Sequence, residues 1–145
     1  MKPFEIHPYR KEYREQLIQI WEDAVRATHD FLSLSDFLEI KEVVSKLDFD
    51  ELEVFCAVNQ GEVAGFIGIA DHKIEMLFVD PEYFGKGHGL NLVQYAVNEE
   101  HAYQVDVNEQ NLKALNFYRK FGFEVVERTE KDDLGMDYPI LRMKL

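Results

Sequence analysis

The sequence predicts an α/β fold, a mixed central sheet with helices on both faces, in one domain spanning residues 1–145. Three observations lead there. Apolar, β-branched and aromatic runs are interleaved with segments whose apolar residues recur every three or four positions, the periods of strands and amphipathic helices. A chain of 145 residues with 46% hydrophobic content can bury one sizeable core but is too short for two ordinary domains. Glycine, proline and asparagine punctuate the periodic segments at short intervals, with no interdomain linker, internal repeat or low-complexity tract between them.

The elements follow in order. Residues 3–7 read as an edge strand closed by Pro8. Across 12–28, Leu17, Ile20, Trp21, Ala24 and Val25 fall on one helical face. Ser33 or Ser35 can cap a second helix running to about Leu47, with Leu38, Val43, Val44 and Leu47 as its apolar face. Residues 53–59 and 62–70 form a hairpin about Asn59-Gln60-Gly61-Glu62, and a third strand, 74–79, follows the turn at Asp71-His72. Next comes a glycine-rich turn, then a helix to about Glu99 that buries Leu90, Val93, Ala96 and Val97. A strand over 103–107 leads through Asn108 to a helix from about Gln110 to Phe121, stopped by Gly122. Strands at about 123–129 and 140–144 end the chain.

Composition narrows the functional classes. With 28 acidic against 16 basic residues the net charge is −12, which argues against nonspecific nucleic-acid binding, since that needs a basic footprint. No apolar run approaches the roughly 18 residues that span a bilayer, and the first residues lack a signal-peptide core. The expectation is a soluble cytoplasmic protein, with no membrane or nucleic-acid partner. The single cysteine, Cys56, lies in the apolar run Val54-Phe55-Cys56-Ala57-Val58 and reads as a buried small hydrophobe. Neither His nor Cys falls at ligand-like spacing, so no metal is expected.

Chemistry enters at the turn after the third meander strand. There Asp80-Pro81 ends an apolar run, and Gly85, Gly87 and Gly89 alternate with Lys86 and His88 before Leu90. The first N–H groups of a helix have no internal partner and carry the positive end of its dipole, so a phosphate is the natural guest. Glycine lets the backbone curl around phosphate oxygens, and Lys86 and His88 add cationic or donor groups nearby. One strand and one loop later comes a second motif, Asn111-Leu112-Lys113-Ala114-Leu115-Asn116-Phe117-Tyr118-Arg119-Lys120-Phe121-Gly122-Phe123.

The ordered pair resembles the GNAT superfamily of acyl-CoA N-acyltransferases. Its patterns are a Val-x-Pro-x-x-Arg-Gly-x-Gly-x-Gly loop, matched from Val79 to Gly89 except at Phe84, and a later Asn-x-x-Ala-x-x-Phe-Tyr-x-x-x-Gly-Phe, matched throughout. Two further words, Ala27-Thr28-His29-Asp30-Phe31-Leu32 and Asp132-Asp133-Leu134-Gly135, are similar to segments of bacterial YjaB-like acetyltransferases. The resemblance implies a mainly antiparallel sheet of about seven strands with about four helices, splayed between the fourth and fifth strands.

It also implies an N-acetyltransferase in which acetyl-CoA is the cosubstrate and a primary amine attacks the thioester directly. The amine belongs to a small molecule or a protein, and a homodimer is left open. The backbone of Phe84, Gly85, Lys86, Gly87, His88, Gly89 and Leu90 would cradle the pyrophosphate. Leu77, Phe78 and Val79 would pair with the pantetheine arm, and Asn111 would meet it near a helix start, although a helix cap is the other reading of an asparagine there. Phe84 stands where the family usually has Arg or Gln, which removes any side-chain contribution of that kind.

Amine acetylation needs a neutral amine and a proton for the departing thiolate. By resemblance Tyr118 is the acid, although a core aromatic is the alternative, and Glu75 is the base. The alternation of Glu75 with Ile74 and Met76 also suits a solvent-facing position, and His29 and His72 are other candidate bases. The acceptor pocket would use Trp21, His29, Asp30 and Phe31, closed from the other side by Asp132, Asp133 and Tyr138. Two rivals are a noncatalytic acyl-CoA-binding module and a dinucleotide-binding domain. For the latter Asp106 would be the ribose ligand, but the glycines lack Gly-x-Gly-x-x-Gly spacing and a meander precedes them.

Overall fold

The computed structural model describes residues 4–145. In chain order the elements are β1 (Glu5–Pro8), α1 (Arg14–Thr28), α2 (Leu34–Ser45), β2 (Glu53–Asn59), β3 (Glu62–Ala70), β4 (Lys73–Val79), α3 (His88–Glu99), β5 (Gln104–Asn108), α4 (Leu112–Phe121), β6 (Glu124–Thr129) and β7 (Ile140–Lys144). The expected start of the first strand at Pro3 lies outside the described residues. All seven strands form one sheet in the order β1-β2-β3-β4-β5-β7-β6, antiparallel except for the β4–β5 pair.

Helices cover both faces. On one, α1 and α2 bury Leu17, Ile20, Trp21 and Phe37 against Val54, Cys56 and Phe66. On the other, α3 and α4 bury Leu92, Val93, Ala96 and Tyr118 against Ile67, Ile74, Val105 and Val107. Cys56 is fully buried, and burial pushes its thiol up to about 12, which makes it an inert core group. Strand packing is tight where β3 meets the end of β4: a Cβ on Gly65 would lie 2.9 Å from the Phe78 carbonyl oxygen.

Two helices bury part of the expected face and replace the rest. In α2 the buried residue is Phe37, with Ile40, Val44 and Leu47 packed beside it, while Leu38 and Val43 are exposed. The cause lies at the helix start. Ser33 Oγ accepts from Asp36 N at 3.1 Å, and one turn on Phe37 stacks on Trp21 with ring centroids 5.7 Å apart. In α3 it is Leu92, not Leu90, that joins Val93 and Ala96 in the core; Leu90 sits in the first turn, facing solvent.

The feature that positions the site is the parallel pair. β4 and β5 pair only at Lys73↔Gln104 and Ile74↔Val105, although both strands run on, to Val79 and Asn108. Beyond Ile74 they diverge, so the far half of β4 has its second edge open. Crevices at the carboxyl ends of parallel strands are where α/β sheets bind ligands.

A candidate active site between two parting strands

The cleft in the gap encloses about 120 Å³ and is lined by Glu75, Met76, Leu77 and Phe78 of β4, Asp106, Val107 and Asn108 of β5, Asn111, Ala114 and Tyr118 around α4, and His29 from the end of α1. A larger depression of about 460 Å³, by Glu5, His7, Arg10 and Tyr13, contains none of the motif residues. Chemistry, not volume, singles out the smaller cleft.

Tyr118 is 5% exposed, its ring held edge-on between Phe117 and Phe123 at 5.1 and 5.6 Å. Its hydroxyl has no hydrogen-bond partner among the described residues although the residue lines the cleft, and burial raises its pKa above the ordinary tyrosine value. The hydroxyl therefore meets the open cleft rather than a protein acceptor, and is able to donate a hydrogen bond there. The ring thus packs in the core, as the core-aromatic reading has it, while the residue also borders the cleft.

Glu75 owes its place to an irregularity. Gly68 of β3 faces Met76 and Ile69 faces Ile74, so Glu75 is the extra residue of a β-bulge. The bulge coincides with the point where β4 leaves β5. Glu75 remains solvent-accessible, yet the cleft walls desolvate it enough to raise its pKa, with Asp106 and Asp133 adding to the rise and Lys73 and Arg142 opposing it. Asp106 Oδ2 takes both Lys73 and Arg142, and Arg142 also reaches Asp133 at 3.2 Å. Asp106 is thereby committed to the sheet's ion pairs, which removes it as a ribose ligand.

The glycine turn is open. Gly85 and Gly87 adopt φ of +76° and +86°, with nothing within 4 Å of where a Cβ would stand, and Gly87 is the residue before α3. The turn exposes Phe84 and Leu90 and stands on an aromatic base in which His88 packs edge-on against Phe4 and Tyr83 at 4.9 and 5.7 Å. The Lys86 ammonium lies 5.6 Å from the centre of the Tyr83 ring. Burial and the neighbouring Lys86 lower the His88 pKa, so the ring stays neutral and serves packing. Gly87→Val forces a β-branched residue into the left-handed region and is expected to weaken acetyl-CoA binding tenfold or more, at a stability cost of about 1–3 kcal/mol. Titration calorimetry of the folded variant checks it, and wild-type affinity would clear the turn of that role.

Asn111 caps α4: its Oδ1 accepts from Ala114 N at 3.2 Å, leaving Nδ2 to donate elsewhere. Asn108 Oδ1 accepts from Gln110 N at 3.0 Å in the turn before it, and the helix starts at Leu112 rather than near Gln110.

Of the expected acceptor residues, His29 lines the cleft and Phe31 packs on it at 5.3 Å, while Asp30 adjoins on the exposed turn. Trp21 is 4% exposed in the core and reaches the region only by supporting α2 through Phe37. His72, the other candidate base, is stacked on Tyr103 at 6.0 Å, and its Nδ1 lies 3.2 Å from the His101 carbonyl oxygen, away from the cleft. The β6–β7 loop meets the α1–α2 turn: Tyr138 donates to Asp36 and accepts from Ser33 N at 3.4 Å, with its ring 6.0 Å from Phe31. Asp132 is spent inside that loop, accepting from Leu134 N and Met136 N at 3.0 and 2.9 Å. Sequence reasoning passed over Lys73 and Arg142, and only their ion pairs with Asp106 reveal them.

Comparison with known proteins agrees with this layout. Residues 11–144 match the family model described as "Acetyltransferase (GNAT) domain". A peptidyl-lysine N-acetyltransferase of Salmonella typhimurium, YjaB, is 43% identical over 136 residues, 92% of each chain. The apo solution structure of YjaB from Escherichia coli superposes with a TM-score of 0.90 at 38% identity, covering 99% of this chain and 97% of that one. A Thermoplasma acidophilum N-acetyltransferase in complex with coenzyme A shares the fold, with a TM-score of 0.70 at 23% identity over 99% of this chain and all of that one. Among the described residues no group of His, Cys, Asp or Glu could hold a metal, and no helix is long and apolar enough to cross a membrane. The parted strands, the open glycine turn and the match over nearly the whole length have one reading: the chain belongs to the GNAT family of acetyltransferases.

Proposed function

We propose that this protein transfers the acetyl group of acetyl-CoA to the ε-amine of a lysine in a protein substrate, at the cleft between β4 and β5. The observation that carries this is the cleft between β4 and β5 that the unpaired Tyr118 and the bulged Glu75 line together. The lysine acceptor is supported by the similarity to a peptidyl-lysine N-acetyltransferase and by the acidic surroundings, with Asp30, Glu75 and Asp133 near the mouth.

The residues present fit acetyl-CoA. Exposed N–H groups from Gly85 to Leu90, at the positive end of α3, suit a pyrophosphate. The free edge of β4 at Leu77, Phe78 and Val79 offers N–H and C=O groups to the amides of a pantetheine, a pairing like that of an added strand. Asn111 Nδ2 is available to the same arm. Bound there, acetyl-CoA supplies the activated acyl group. Glu75, with its raised pKa, takes a proton from the incoming ammonium, and Tyr118 delivers one to the sulfur that leaves. Phe84, exposed beside the turn, gives an apolar surface where the family usually places a polar side chain.

A ligand that binds only the folded state raises its melting temperature, by about 2.7 kcal/mol of stabilisation at a hundredfold excess over Kd. Acetyl-CoA is expected to raise Tm and NAD to leave it unchanged. Stabilisation by NAD alone would overturn the reading, and stabilisation by acetyl-CoA without turnover on any amine would mark a binding module.

A further inference from the structure

We propose that His29 is a second proton acceptor of the transfer reaction, its Nε2 receiving a proton from the acceptor nitrogen within the cleft. The inference rests on the acetyl-transfer reading above and adds a residue to it.

The need comes from counting protons. An alkylammonium has three N–H hydrogens and the amide product keeps one. One proton must leave before the lone pair can attack the thioester carbon, and another leaves as the new C–N bond places positive charge on nitrogen. When the C–S bond breaks, Tyr118 gives the sulfur one proton. Tyr118 regains it from the two removed from nitrogen, and the other passes to water. Two acceptors are therefore useful, and the cleft offers few. Asp106 is engaged by both Lys73 and Arg142 through one oxygen, and Asn108 and Asn111 are not bases. Glu75 and His29 remain.

The hydrogen bonding of His29 fixes which nitrogen is basic. His29 ends α1, its N–H donating to the Val25 carbonyl at 2.8 Å. The Thr28 hydroxyl donates its only hydrogen to the Ala24 carbonyl at 2.7 Å, so toward His29 Nδ1, also at 2.7 Å, it can act only as acceptor. Nδ1 must then carry the ring hydrogen, and Nε2 keeps a lone pair. Phe31 at 5.3 Å holds the ring, itself backed by Tyr138, which is pinned to Asp36 and Ser33. The charged and titratable groups about it are Asp30 on the same turn, Glu75 on β4, Asp106 on β5 with its two cations, and Tyr118 on α4. Burial outweighs Asp30 and keeps the imidazole neutral at neutral pH.

Two readouts on the intact chain test this. Histidine-ring nitrogen spectra, which need no turnover, should show His29 as the Nδ1–H tautomer, and an Nε2–H ring would overturn the proposal. With acetyl-CoA and Nα-acetyl-lysine amide as the probe acceptor, His29→Gln should lower kcat by about 10- to 100-fold, leave acetyl-CoA affinity unchanged and remove one ionisation from the acid side of the kcat profile. Wild-type kcat and an unaltered pH profile would overturn it. If His29→Gln does not fold, Thr28→Val should weaken turnover and shift that ionisation, with Thr28→Ser restoring both, and wild-type behaviour in Thr28→Val would count against the proposal. Absence of turnover in the unmodified protein, with acetyl-CoA bound, would instead strike the acetyl-transfer reading and take this role with it.

Discussion

Tyr118→Phe is expected to lower kcat by about a hundredfold or more while acetyl-CoA affinity stays within about twofold. The substitution deletes one oxygen and keeps the ring that packs between Phe117 and Phe123. That hydroxyl has no partner to strand, so removing it leaves no buried polar group unsatisfied and stability should hold or rise slightly. The raised pKa keeps the phenol protonated over the whole working range, as a donor to sulfur must be. The loss should thus fall on the chemical step, seen as a drop in kcat with calorimetric Kd preserved. Unchanged turnover would return Tyr118 to the core.

Glu75→Gln should cost about a hundredfold or more in kcat/KM and simplify the acid side of the pH profile. A general base works only when ionised, and burial has raised the pKa of this carboxylate, so wild-type activity should fall as pH drops through a value above the ordinary carboxylate range. Glutamine keeps the shape and loses that ionisation, leaving only the one assigned to the imidazole. Rate measurements from acid to neutral pH check it. A profile and rate identical to wild type would remove Glu75 from the reaction.

Much of this site is legible in the sequence because it is local. The glycine turn, the strand before it and the Asn111-to-Phe123 word are contiguous, and their element order follows from hydrophobic period alone. What escapes depends on partners far along the chain. Glu75 reads as one position of a regular alternation, since a bulge exists only relative to the register of β3. The phase of α2 is ambiguous in sequence because Leu34, Leu38 and Val43 are apolar yet exposed, and only the stack of Phe37 on Trp21 selects among directions. The capping role of Asn111 required knowing that the helix starts two residues later than its polar lead-in implies. Trp21 lies on the helix that ends at the pocket residue His29, but it faces the sheet. The basicity of His29 Nε2 is hidden for another reason: Thr28 is adjacent in sequence, yet its role is set by the Ala24 carbonyl one helical turn back.

Acetyl transfer at the β4–β5 gap is tested most directly by incubating the protein with acetyl-CoA and lysine-containing peptides, and measuring free CoA and acetylated peptide together. Release of CoA mole for mole with Nε-acetyl-lysine, suppressed about a hundredfold in Tyr118→Phe, is the expected result. Bound acetyl-CoA that releases no CoA above its uncatalysed hydrolysis, or transfer that survives Tyr118→Phe undiminished, would contradict it.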